Sequence, residues 1–329
     1  MVHDSYSSND AYEAEPRHRS VGGDVRSTRM QAMVTRARFL LIGVLAAGGL
    51  VELGCRRPVE PPPASPPPEP LPRFPEVYER TARPYQRGAF LLPLEESVDR
   101  ASRYLCPLFL QEIPADDATK SYRRFGALRA DEQGRACADT DRLTAYLLPG
   151  QISRNEQSLR QTTFFWCYPP ATPDAPLLWR GCRMTFTSRG FVMTWEILSE
   201  AAEPLVFYVS KPTEDAARTE FGLPLPGRRF TVEPDLKSQP KVIVARIVGD
   251  GPQPMGPILY LDHASLTVTT LRCRCEPPQV TDFAVTAHYR VVTLESAADL
   301  AELGIPETMR RALTVQEPLD AVLRLPRAL

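Results

Sequence analysis

Between Thr162 and Thr293 the chain alternates apolar and polar residues at the two-residue period of a half-buried strand. Cys182, Met184 and Phe186 alternate with Arg183, Thr185 and Thr187. Across Ser188-Arg189-Gly190 the run Phe191, Met193, Trp195, Ile197 then alternates with Thr194 and Glu196. The pair reads as a β-hairpin. Leu205 to Val209 is apolar throughout, as in a strand buried on both faces. Val242 to Val248, Ile258 to Leu261, Leu266 to Cys275 and Val280 to Thr293 supply further strands. In the last of these, Phe283, Val285, Ala287, Tyr289 and Val291 form one face. Asp282, Thr286, His288 and Arg290 form a wet one.

Upstream the spacing is helical: Leu94, Val98, Ala101 and Leu105 recur at i, i+4, i+7 and i+11 between Pro93 and Pro107, which predicts one short amphipathic helix. Residues 113–135 read as loop, and Leu143 to Leu148 as a strand. Ser296 three residues before Asp299 predicts a capped helix start, Gly304 its stop, and Pro306 the opening of a second short helix. The resulting fold class is α+β, mainly β: an antiparallel β-sandwich or twisted sheet with a few short peripheral helices. This globular domain occupies residues 76–329.

The first 75 residues have no such periodicity. Residues 1–32 are polar and mixed in charge, a composition that predicts disorder. Residues 33–54 then have the three-part layout of a secretory signal: basic Arg36 and Arg38, an uninterrupted apolar run of 13 residues from Phe39 to Val51, and small residues toward its end. The run is short of the roughly 20 residues that span a bilayer. Met30 or Met33 would be the natural start of such a signal.

The segment closes Leu53-Gly54-Cys55, which resembles the lipobox of bacterial lipoproteins, with Glu52 standing where that pattern has an apolar residue. The resemblance covers about twenty residues and does not extend to the domain. It implies lipidation of Cys55, attachment to a membrane through the lipid, and a place in the bacterial cell envelope facing the periplasm or the exterior. Residues 55–75 follow as a spacer, ten of the twenty residues 56–75 being proline. In polyproline geometry, at ~3.1 Å per residue, they reach about 60 Å.

Net charge is -1 from 39 basic and 40 acidic residues, which excludes a protein that grips nucleic acid by its phosphates. Setting Cys55 aside leaves Cys106, Cys137, Cys167, Cys182, Cys273 and Cys275, an even count that favours disulfides in an exported chain. Placed two apart on one strand, Cys273 and Cys275 would lie about 6.5–7 Å apart, at the limit for bridging each other. The expectation is therefore that they pair with Cys167 and Cys182, and Cys106 with Cys137. A metal site of Cys273, Cys275, His263 and His288 lacks the paired Cys-x-x-Cys spacing of a zinc centre, and no metal or other cofactor is expected.

Catalytic signatures are missing: no Gly-x-Ser-x-Gly elbow, no His-Glu-x-x-His and no Gly-rich phosphate loop. Asp262-His263 with Ser265 nearby could suggest a hydrolase triad, but adjacent strand residues point to opposite faces. The aromatics Trp166, Tyr168 and Trp179, with Phe164, Phe165 and Trp195, could form a platform for glycan rings or an apolar patch of an envelope protein. Core packing is the alternative use for them. The expectation is a binding or scaffolding domain, with a periplasmic hydrolase lacking a recognisable motif as the alternative.

Overall fold

The computed structural model describes residues 84–327, apart from positions 118, 120, 132–133, 171, 173–174, 202–203, 239 and 250–255. The signal, Cys55 and the proline-rich spacer lie outside the described residues. Those described all belong to one unit, Ser65–Leu329.

In chain order the elements are β1 (Tyr85–Pro93), a 3-10 turn (Glu95–Ser97), α1 (Arg100–Arg103), β2 (Leu108–Glu112), β3 (Ala127–Ala130), β4 (Ala136–Asp139), β5 (Thr144–Arg154) and β6 (Gln157–Tyr168). Then come β7 (Leu178–Phe186), β8 (Val192–Ser199), β9 (Leu205–Ser210), α2 (Lys211–Phe221), β10 (Val242–Val248), β11 (Pro257–Leu261), β12 (Val268–Cys273) and β13 (Val280–Thr293). Three short helices close the chain: α3 (Ala297–Glu302), α4 (Glu307–Thr314) and α5 (Leu319–Val322). The mainly β, α+β class stands.

Eleven strands form one sheet in the order β10-β9-β8-β7-β6-β5-β13-β1-β2-β11-β12, with β3-β4 as a separate small hairpin. The sheet is mixed: β1·β13, β9·β10, β2·β11 and β5·β13 pair in parallel. Its antiparallel body runs from β5 to β9, with Ala145 opposite Trp166, Cys182 opposite Phe164 and Trp195 opposite Met184. The edge strands β10 and β12 come within 8 Å of one another, so the sheet curls toward closure.

Every one of the eleven strands sends a residue into one buried cluster on the inner face, including Leu91, Phe109, Ala145, Trp166, Met184, Trp195, Tyr208, Val248, Leu259, Leu271 and Tyr289. The rings pack edge to face, as their quadrupoles prefer. Phe109 sits 4.7 Å from Trp166 and 5.1 Å from Tyr289, centroid to centroid. On the outer face, α3, α4 and the β3-β4 hairpin cover Phe165, Cys167 and Trp179. There α2 and the C-terminal segment cover Met193, Phe207 and Val244. β9 is thus apolar on both faces because both are covered.

The hairpin β7-β8 forms as its alternation predicts, with Gly190 at φ 85°, a conformation open to glycine. Ser296 caps α3 in a full capping box with Asp299, and Gly304 at φ 68° ends it. The helix expected over Leu94–Leu105 is broken. Val98 is extended at φ -140°, and Ser97 Oγ, which donates to Leu94 O at 2.7 Å, accepts the Val291 N–H of β13 at 3.1 Å. Val98 and Leu105 still reach the core. Within 113–135, read as loop, residues 127–130 form β3, which pairs with β4 just beyond that segment.

Candidate functional site

A cleft of ≈ 730 Å³ opens around the β8–β9 connection. Its walls are Trp179 from β7, Ile197 and Leu198 from β8, Leu205, Val206 and Tyr208 from β9, Val268 and Thr269 from β12, and Met309 and Ala312 from α4. Four separate stretches of chain meet there. β8 contributes to both sheet faces, since Ile197 packs with the inner cluster and Leu198 with the outer one.

Of the charged groups around the cleft, Arg180, Glu196 and Glu200 are engaged within the fold, while Arg311 and Glu317 stand exposed on its lining. Arg180, 4 % exposed, donates from Nε to Leu266 O at 3.2 Å, from Nη2 to Ser265 O at 2.9 Å and from Nη1 to Trp179 O at 2.7 Å, and it pairs with Glu200. It fixes the turn that holds Leu266 at φ 56°. Arg183 and Glu196 face each other across the β7–β8 ladder and form a buried ion pair at 2.8 Å. The Arg183 guanidinium also donates to Ala312 O at 2.6 Å and Leu313 O at 3.1 Å, which satisfies carbonyls at the C-terminal end of α4. Gln316 Nε2 donates to Glu196 at 3.1 Å and its Oε1 accepts from Gln161, whose Nε2 also reaches Thr185 Oγ1 at 2.9 Å. Burial raises the Glu196 carboxyl above the usual carboxylate range, and Arg183 offsets part of that rise.

The aromatics considered as a platform do not form one on the surface. Trp166 and Tyr168 are 0 % exposed and pack in the inner cluster, where the indole N–H of Trp166 donates to Tyr168 Oη at 3.2 Å. Trp179, 4 % exposed, is the only one of the three that reaches the cleft wall.

The cysteines pair differently from the sequence expectation. Cys273 bonds to Cys275 across a Cα–Cα distance of 5.2 Å, while Cys106, Cys137, Cys167 and Cys182 are free thiols. The expected separation assumed an unbroken strand through both residues. β12 ends at Cys273 and the chain turns, with Glu276 N–H donating to Cys273 O at 3.1 Å, which brings the two Cα atoms together. Burial raises the thiols of Cys106, Cys167 and Cys182, the first to about 12, so these three are packing groups and poor nucleophiles.

Asp262, His263 and Ser265 do not assemble a triad: Ser265 Oγ donates to Asp262 Oδ1 at 2.7 Å, and the same carboxylate oxygen accepts the N–H groups of Ala264 and Ser265. This is the bonding of a turn. His288 stands on the exposed face of β13. Among the described residues, no three His, Cys, Asp or Glu side chains gather as a metal site would require, and no helix is long and apolar enough to cross a membrane. Compared with protein families, with characterised proteins and with solved structures, the chain matches none.

Proposed function

We propose that this chain is an exported, lipid-anchored envelope protein whose β-rich domain is a binding module, with the cleft beside α4 as the binding site. The observation that carries the binding half is how the cleft divides its chemistry. Its walls are largely apolar, while Arg180 is engaged with main-chain carbonyls and Glu196 with Arg183 and Gln316. Apolar walls with a few polar groups suit a ligand, or a partner's side chains, with an apolar body. The envelope half is supported by the layout of residues 33–75, in which a signal-like segment, Cys55 and a proline-rich spacer follow in the order a tethered domain needs.

The cleft is tested with anilinonaphthalene sulfonate as the probe. Val315, 56 % exposed on the cleft lining just past α4, can be changed without opening the core. Saturable binding to the wild-type chain that weakens in Val315→Glu, at unchanged circular dichroism, supports the reading. Binding that is absent, or indifferent to that substitution, removes it.

A further inference from the structure

The turn after β12 carries chemistry that the cleft does not use. The two bonded sulfurs sit in different surroundings. Cys273 is 4 % exposed and packs with the inner cluster, whereas Cys275 is exposed. The backbone N–H of Cys275 is directed at Cys273 Sγ at 3.1 Å, and an N–H aimed at sulfur favours the thiolate over the thiol. The residue between them is a cation, Arg274, whose guanidinium donates to Cys106 O.

Stability is a poor explanation for the bond. The chain-entropy gain from a cross-link grows with the loop it closes, and here the sequence separation is 2. The end of β12 is in any case already paired to β11, Cys273 lying opposite Pro257. Exposed disulfides belong to the labile class, not to the structural one.

We propose that Cys273-Arg274-Cys275 is a thiol–disulfide exchange site whose substrates are thiols and their disulfides. A substrate thiolate attacks the exposed Sγ of Cys275. The Cys273–Cys275 bond breaks and its electron pair leaves on Cys273 Sγ, where the Cys275 N–H receives the negative charge. A second substrate thiolate attacks the substrate sulfur of the mixed disulfide and expels Cys275 as thiolate. Two substrate thiols become one disulfide, both protein sulfurs are reduced, and the two protons lost by the substrate end on Cys273 and Cys275. The reverse sequence, driven by a substrate disulfide, restores the bond. This site lies apart from the cleft and does not depend on what the cleft binds.

The test equilibrates the full chain, without denaturant, in mixtures of glutathione and glutathione disulfide. Acid quenching, alkylation and peptide mapping then report the state of the bond while circular dichroism follows the fold. Reversible opening and closing at constant circular dichroism is expected. In Cys273→Ser a glutathione adduct should accumulate on Cys275, whereas Cys275→Ser should leave the buried Cys273 unmodified. A bond that opens only as the domain unfolds, or that does not form even in excess glutathione disulfide, overturns the proposal.

Discussion

On the inner face of the sheet, Phe109, Phe125, Trp166 and Tyr289 pack ring against ring. On the outer face, the segments laid over the strands are held in large part by arginines that reach through the layer to main-chain carbonyls. Arg183 holds the end of α4 through Ala312 O and Leu313 O. Arg154 holds the C-terminal segment through Leu325 O at 3.1 Å and Pro326 O at 2.9 Å. Arg324 reaches back to Thr231 O at 3.3 Å. Apolar contact is non-directional and tolerates any arrangement that fills space, whereas a guanidinium fork fixes a segment at one position. The cleft lies between the turn pinned by Arg180 and the outer helix pinned by Arg183.

The largest expected effect is on the inner face. Trp166→Ala should destabilise the domain by about 3–5 kcal/mol through lost transfer energy and a residual cavity. Equilibrium urea unfolding measures it, and a loss below 1 kcal/mol would mean that the inner cluster is loosely packed.

Next comes the buried ion pair. Arg183→Met leaves Glu196 buried without its cation, at a cost of about 3 kcal/mol near neutral pH. The sign with pH follows from the direction of the Glu196 shift. A carboxyl whose folded pKa lies above its unfolded value takes up a proton on folding, so acidification favours the folded variant. The deficit of Arg183→Met should therefore shrink as pH falls through the raised Glu196 pKa, and Arg183→Met/Glu196→Gln should recover most of it. A deficit independent of pH would remove electrostatics as the cause.

Arg154→Ala should be milder, about 2 kcal/mol, because Asp320 is 48 % exposed and rehydrates while the carbonyls of Leu325 and Pro326 lose a charged donor. Faster limited proteolysis of the C-terminal segment, ahead of global unfolding, is the readout. The smallest effect is at the cap: Ser296→Ala should cost about 1 kcal/mol and shift only the thermal midpoint.

What could be read from the sequence was local. The β7-β8 hairpin, the strand Val280–Thr293 with its exposed Asp282, Thr286, His288 and Arg290, and the Ser296 cap all depend on neighbours within a few residues. β1 escaped because a register shift between Gly88 and Ala89 breaks its alternation. β2 is only five residues long. Helix α2 was missed although Pro212 at its start and Gly222 at its end, φ 79°, mark its bounds.

The insertion of β13 between β5 and β1 joins chain segments far apart in sequence, and no local pattern encodes it. The cleft is invisible for the same reason, since its walls come from residues near 180, 197, 205, 268 and 310. Arg183 reads as solvated in the β7 alternation but is 2 % exposed, because α4 comes to lie over it. The signal of a buried arginine lies in what covers it.

The central claim, an exported domain on a lipid tether, is tested most directly by the intact mass of the protein extracted from its own membranes. The account predicts a chain beginning at Cys55 and carrying a diacylglyceryl group. A mass that retains the apolar run Phe39–Val51 would contradict it, and would show that Glu52 blocks processing and leaves the segment uncut.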